Sequence, residues 1–344
     1  MQDQQQKYLI VGPAWVGDMV MAQSLFIDLK QRQPQAQIDV LAPAWTAALI
    51  DRMPEVSQLI EADFKHGKLS LGERFRLGRE LRAHSYTHAI VLPNSLKSAL
   101  VPAIAKIPVR TGFVGEQRWG LVNDIRRLDK SRLPMTVQRF IALGEDESSV
   151  PRPLPSVPAP SLKVAANDVS TVLEKYALNL SDPVLVLCPG AEFGASKQWP
   201  ASHYAELANH YLAQGWQVWL MGSQNDLTIC NEINSACHSA ASVLAGKTSL
   251  PEAIDLISCA SLVASNDSGL MHIAAALQRP LVAIYGSTDP GHTPPLSENH
   301  AIARLGLDCS PCFKRECPLQ HLNCLRQLGV DRILDAAANV VEVS

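Results

Sequence analysis

The chain has 344 residues, of which 47% are hydrophobic, and a formal net charge of −3. That is long enough for two domains and has the apolar fraction of an ordinary globular protein, which excludes a disordered or fibrous chain. No stretch of about 18 uncharged apolar residues occurs, which excludes a membrane-spanning helix on sequence grounds.

The start, "MQDQQQKYLI", has no basic segment leading into an apolar one, so no signal peptide is expected and the location expected is cytoplasmic. "YLIVG" (Tyr8 to Gly12) reads as a short buried strand, followed by the loop "PAWVGD" and a helix pattern from about Met19 to Gln31. "IDVLAP" is a second strand. "AIVLPNS" is a third, preceded by a basic amphipathic helix around Leu71 to Ala83. "PRPLPSVPAP", residues 151–160, has five prolines in ten and suits a semi-rigid connection. After it the rhythm restarts: "PVLVLCPG" as a strand, "PASHYAELANHYLAQG" as a helix with Pro200 near its start and Gly215 past its end, "WQVWLMGS" as a strand, then "NDLTICNEINSAC" as a helix. "LVASN", "SGLMHIAAAL" and "PLVAIYG" follow as strand, helix and strand. Strands alternating with helices predict an α/β chain with parallel sheets. Two Rossmann-like domains in tandem are expected, 1–160 and 161–344, with a ligand cleft at the carboxyl ends of both sheets. The last helix is a candidate to pack back on the first domain.

Charge is unevenly spread. Through Pro160 there are 20 Lys and Arg against 16 Asp and Glu; beyond it there are 10 against 17. Arg74, Arg76, Arg79, Arg82, Arg110, Arg118, Arg126 and Arg127 all lie in the first part. An anionic partner would prefer that half; solvated helix faces are the alternative for any single arginine. No nucleic-acid partner is expected.

Three stretches carry candidate chemistry. In "SNDSGLMHIAAALQRP" (Ser265 to Pro280), Asp267, Ser268, Gly269 and His272 stand at the mouth of an apolar helix. A helix start has free N–H groups and a partial positive charge, so phosphate is a natural guest there. Asp267 would repel phosphate and is better suited to accept hydrogen bonds from sugar hydroxyls. Asp267 or Ser268 as a plain N-cap, with His272 a satisfied core residue, is the alternative. "PGAEFGASKQWP" offers loop amides after a buried strand and a mobile cation, Lys197, but no G-x-x-x-x-G-K-[ST] pattern. "VGPAWVGDMV" lacks G-x-G-x-x-G and places Asp18 where loop meets helix; a first-turn acid complementing the helix dipole is the competing reading. No Asp-x-Asp is present to hold a divalent metal on a diphosphate.

Eight cysteines in a cytosolic chain do not suggest a disulfide framework. Cys309, Cys312, Cys317 and Cys324 cluster with spacing C-x2-C-x4-C-x6-C, compact enough for one tetrahedral site of structural zinc or iron. Labile or merely buried thiols are the alternatives.

Together "GPAWVGDMVMAQSL", "VLPNSLKSALVP", "RTGF", "CPGAEFGASKQWP", "NDSGLMHIAAALQRPLVAIYG" and "HTPPLS" resemble the ADP-heptose–lipopolysaccharide heptosyltransferases of the inner core. The resemblance implies a GT-B fold and an inverting transfer of heptose from ADP-heptose to an anionic core lipid, without a cofactor. It implies Asp18 as general base and Lys197 as the cation that neutralises the departing diphosphate and touches the donor sugar. Asp267 would hold heptose hydroxyls, Ser268 and Gly269 phosphate, with His272 nearby, Asp226 the ribose hydroxyls and Thr248 the adenine. Glu192 and Phe193 stand where some relatives carry hydroxyl side chains, so backbone amides would do more of the phosphate binding. Asn94, Lys97, Arg110 and the arginines of the Leu71–Ala83 helix are candidates for the acceptor, and that helix could touch the inner membrane peripherally. Rival readings are a nucleotide-sugar epimerase of similar two-domain fold and a non-catalytic sugar-nucleotide-binding regulator; a NAD-dependent dehydrogenase lacks its fingerprint.

Overall fold

The computed structural model describes residues 5–64, 68–145 and 157–341. Most of the proline-rich connection expected at 151–160 lies outside them. The chain divides into two compact units, Met1–Pro160 and Ser161–Ser344.

The N-terminal unit runs β1 (Lys7–Val11), α1 (Val16–Arg32), β2 (Gln37–Ala42), α2 (Ala47–Ile50), β3 (Gln58–Glu61), α3 (Leu71–Glu80), β4 (His88–Val91), α4 (Leu100–Ile104), β5 (Val109–Phe113), β6 (Asp124–Arg126) and α5 (Thr136–Gly144). Its six strands are parallel in the order β3-β2-β1-β4-β5-β6. This is a doubly wound sheet, in which the chain turns from one side of β1 to the other and leaves a crevice at the carboxyl ends of β1 and β4. Four of the five residues of β1 are buried because helices cover both faces. Leu9, Val11, Leu41, Leu81, Tyr86, Val91, Val101 and Ile107 form the core on one face. Within the sheet the fully buried Asp39 accepts hydrogen bonds from Tyr86 (2.7 Å), Gln58 (2.7 Å) and Gln37 (3.1 Å). A buried carboxylate is tolerated only when satisfied in this way.

The C-terminal unit runs α6 (Ala166–Lys175), β7 (Val184–Cys188), α7 (Ala201–Leu212), β8 (Gln217–Leu220), α8 (Leu227–Ala236), β9 (Ser242–Val243), α9 (Leu250–Ile257), β10 (Leu262–Asn266), α10 (Gly269–Ala276), β11 (Leu281–Ile284), β12 (His300–Ala303), α11 (Asn323–Arg326) and α12 (Val330–Val341). The order β12-β11-β10-β7-β8-β9, again all parallel, repeats the first topology, with its switch point between β7 and β10. Every residue of β7 and β10 is buried. Trp199, Tyr204, Leu185, Leu187, Leu220 and Ile333 belong to one core. The last helix, α12, packs on α7, β11 and β12 of its own unit. No helix among the described residues is long and apolar enough to cross a membrane.

The strands expected from apolar runs are present. Those not foreseen are β3, β5, β6, β9 and β12. All but β5 lie toward a sheet edge and are short or partly polar, as their burial shows. Edge strands bury one side only and carry no continuous apolar run.

Candidate functional site

The loops that follow β7 and β10 meet at the switch point of the C-terminal sheet. Asn266, the last residue of β10 and fully buried, ties them together. Its amide donates to the Pro189 carbonyl (2.7 Å), and its side-chain oxygen accepts from the Trp199 amide (3.2 Å) and the Tyr204 hydroxyl (3.0 Å). One side chain thus holds both ends of the 189–199 loop against β10.

That loop turns through Gly194 into a 3-10 turn, Ala195–Lys197. Lys197, expected as a mobile cation, is instead fixed: its ammonium donates to Asp267 Oδ2 at 2.7 Å, with the two side chains 14% and 5% exposed. Thr288 Oγ1 donates to the same oxygen at 2.6 Å. The ammonium also stands 5.1 Å from the centre of the Phe193 ring.

Ser268 occupies the N-cap of α10 in an extended conformation, but its side chain makes no capping hydrogen bond and lies 3.3 Å from the Ser265 hydroxyl. The first amides of α10 are therefore not closed by their own cap, which leaves Gly269 and its neighbours able to receive an anion. His272, one turn in, is buried. Burial pushes its imidazole down to about 4; the charge of Lys197 adds to this and Asp267 opposes it. The ring is neutral at physiological pH and adds no positive charge.

Asp226 precedes α8, beyond the end of β8. Its Oδ2 accepts from the Ser223 amide and hydroxyl, both at 2.8 Å. It also lies against Gly190: a Cβ there would fall 2.3 Å from the Asp226 carboxyl carbon, so the glycine is needed for the approach. Thr248 lies after β9, its hydroxyl 3.4 Å from the Leu244 carbonyl, and Glu192 is exposed on the loop. The structure pairs Lys197 with Asp267, sets its ammonium over the Phe193 ring, and places Asp226 against Gly190 of the same loop.

The cysteine segment has a place in this site that its spacing did not reveal. The Ser196 amide donates to the Arg315 carbonyl (3.2 Å), the Ser196 hydroxyl to that of Lys314, and the Phe313 amide to that of Ser287 (2.8 Å). The segment thus packs against the turn that carries Lys197. All four cysteines are partly buried free thiols. Burial first, then the other three cysteines, push the Cys324 thiol up. The zinc or iron expected there finds no ready ligand set, since among the described residues no three His, Cys, Asp or Glu are placed to hold one ion.

In the N-terminal unit Asp18 stands in the first turn of α1, at the carboxyl end of the central strand β1, and is partly buried. Lys97 lies in a 3-10 turn after β4, and its carbonyl accepts from Arg74 (3.0 Å). Asn94, exposed, accepts from Arg118 (3.2 Å). Arg110 donates to the carbonyls of Ile107, Gly120 and Leu121, which directs three of its five N–H donors at the main chain. Arg74 is likewise a buried strut, donating to Leu69 and covering the Phe64 ring at 3.7 Å. The buried Arg118 donates to the carbonyls of Pro93 (2.7 Å) and Phe113 (2.6 Å), while among the described residues its Nε has no hydrogen-bond partner, beside a small pocket lined by Trp119 and Val114.

The chain thus holds two doubly wound units, one of which carries a buried cation–carboxylate pair beside an uncapped helix start. Residues 74–323 match the model of glycosyltransferase family 9 (heptosyltransferase), and the chain belongs to that family. It is a glycosyltransferase. The lipopolysaccharide heptosyltransferase 2 of Salmonella typhimurium is 49% identical over 307 residues, 87% of this chain and 88% of that one. The structure of ADP-heptose LPS heptosyltransferase II from Escherichia coli superposes with a TM-score of 0.88 at 43% identity, over 98% of this chain and 99% of that one, which establishes the GT-B-like fold. The E. coli heptosyltransferase WaaC with ADP shares the fold at 20% identity, with a TM-score of 0.69 over 96% of this chain and 100% of that one.

Proposed function

We propose that the chain is an inverting heptosyltransferase, moving a heptose from ADP-heptose to the first heptose of the lipopolysaccharide inner core in the cytoplasm. The observation that carries this is the Lys197–Asp267 pair at the uncapped start of α10. It offers one cation and a row of amides for a diphosphate, and one carboxylate for sugar hydroxyls. Asp226 receives the ribose hydroxyls, Thr248 stands toward the adenine, and the amides around Glu192 and Phe193 supplement Lys197 on the phosphates.

In the transfer, Asp18 takes the proton of the acceptor hydroxyl as its oxygen bonds to the anomeric carbon. The bond from that carbon to the diphosphate breaks on the opposite face, and its electron pair leaves with ADP. The transition state is oxocarbenium-like, so one carboxylate base suffices. The departing charge is met by Lys197 and the amides of Ser268 and Gly269, which are already oriented before the reaction. His272, kept neutral, lines the site without repelling Lys197.

The acceptor is an anionic lipid. Lys97 and Asn94 are the side chains offered to it. Arg110 and Arg118 shape the loops beneath. The exposed Leu69, Leu71 and Phe75 of the α3 region, with Arg76 and Arg79 beside them, suit peripheral contact with an anionic membrane surface. The cysteine segment supports the donor loop from behind through the Lys314 and Arg315 carbonyls.

The test is mass spectrometry of a core lipid bearing one heptose, incubated with ADP-heptose and enzyme: one heptose is added. Asp18→Asn is expected to slow this by at least about 100-fold, the lower end of general-base catalysis, while ADP binding persists. Normal turnover in that variant removes Asp18 from the mechanism, and no added heptose with the unaltered enzyme refutes the acceptor.

A further inference from the structure

In the cysteine segment, the Arg315 side chain reaches the donor loop. Its guanidinium lies 5.5 Å from the centre of the Phe193 ring, the same ring that Lys197 approaches at 5.1 Å. Lys197 has a carboxylate partner in Asp267. Arg315 is exposed, and among the described residues its guanidinium donates no hydrogen bond and joins no ion pair. Its position is nevertheless fixed from behind. The Arg315 carbonyl accepts from Ser196, the residue before Lys197, and Gly194 has φ of +150° with its missing Cβ only 2.4 Å from that carbonyl. A side chain at 194 would therefore push the Arg315 backbone off the loop. The Lys314 and Ser287 carbonyls take the hydroxyl of Ser196 and the amide of Phe313.

Two cations share one aromatic ring while only one has a counter-charge. That leaves an unbalanced positive charge on the loop that Proposed function assigns to the diphosphate. A planar guanidinium forks two N–H donors at one phosphate, which an ammonium cannot do. We propose that Arg315, delivered by the cysteine segment and steered by Phe193, is a second diphosphate-binding cation of the donor site, complementing Lys197. The segment's role is to carry this arginine to the loop. The inference rests on the donor reading above, narrows its phosphate site, and adds a residue to it.

The experiment is calorimetric titration of the full chain with ADP, AMP and UDP, comparing the unaltered protein with Arg315→Ala, Arg315→Lys and Arg332→Ala. Arg332 is an exposed arginine of α12 that controls for net charge. A charge-assisted bond to phosphate is worth about a 10- to 100-fold change in affinity. Arg315→Ala is expected to weaken ADP by at least about tenfold and AMP by much less. Arg315→Lys should recover only part, and Arg332→Ala should match the unaltered protein. Because the diphosphate is present in donor and product alike, KM for ADP-heptose should rise while kcat stays within about threefold. ADP affinity in Arg315→Ala within twofold of the unaltered protein overturns the proposal. If the unaltered protein binds UDP rather than ADP, with the same dependence on Arg315, the arginine stands and the adenine reading falls; if it binds neither, both fall.

Discussion

Removing both members of the Lys197–Asp267 pair should cost clearly less than the sum of removing each alone. The two side chains are 14% and 5% exposed with 2.7 Å between the charged atoms. Breaking a buried pair by deleting one partner typically costs about 3–5 kcal/mol, because the other charge is left buried and uncompensated. In Lys197→Ala the Asp267 carboxylate keeps the hydrogen bond from Thr288, and water can follow the lysine out. The expected loss therefore falls below that range, at about 2–3 kcal/mol. Asp267→Asn strands the ammonium beside an amide oxygen and should lose somewhat less. The double variant removes both charges and should be more stable than the sum of the singles implies, with a coupling of about 2 kcal/mol. Urea unfolding followed by tryptophan fluorescence reads this, since Trp199 and Trp219 are fully buried in the same unit; the slopes must agree for the midpoints to be compared. Titration with ADP separates stability from binding. Lys197→Ala should lose ADP, whereas Asp267→Asn should keep or gain it and lose only the sugar's share of ADP-heptose affinity. A coupling within about 0.5 kcal/mol of zero, or equal ADP loss in the two single variants, would refute this account of the pair.

His272 should make the fold acid-sensitive. Its pKa falls from an ordinary 6.5 to about 4 on burial, so between those values the unfolded chain binds a proton that the fold does not. Stability contributed by the neutral ring is complete above about pH 6.5 and is lost as pH drops toward 4, by up to about 3 kcal/mol at 1.36 kcal/mol per unit. Thermal scans of His272→Gln should show a shallower slope over that interval, and an unchanged slope removes the residue from the effect. Gly190→Ala drives a methyl into Asp226; over-packing of this kind costs about 1–3 kcal/mol, and ADP should bind more weakly as the carboxylate shifts, whereas unaltered affinity would separate Asp226 from the nucleotide. Leu71→Ser with Phe75→Ser deletes two apolar side chains that are 57% and 51% exposed. Each is worth about 1.5–3 kcal/mol when buried, so flotation with phosphatidylglycerol vesicles should drop at least tenfold; equal flotation would show that α3 does not carry membrane contact.

Apolar runs were enough to find the central strands β1, β7, β10 and β11, because a strand covered on both faces must be apolar throughout. Small residues between an apolar strand and an apolar helix marked Asp18, Lys197 and Asp267 for the same local reason: loop, helix start and charge lie next to each other in the chain. The motif resemblance carried the family. What tertiary structure alone decided is which distant segments meet. Nothing in the spacing of Asn266, Trp199 and Tyr204 says that one amide clamps the 189–199 loop. Nor does it say that Thr288 shares an oxygen of Asp267 with Lys197. The arginines of the first half looked alike in sequence, yet Arg74, Arg110 and Arg118 are fastened to main-chain carbonyls while Arg76 and Arg79 are exposed. The cysteines suggested a metal, but in the fold their segment reaches the donor loop through Arg315 and the carbonyls around it. Sequence patterns record which side chains must leave water; contacts between residues 20 to 130 positions apart arise only when those buried elements are packed together.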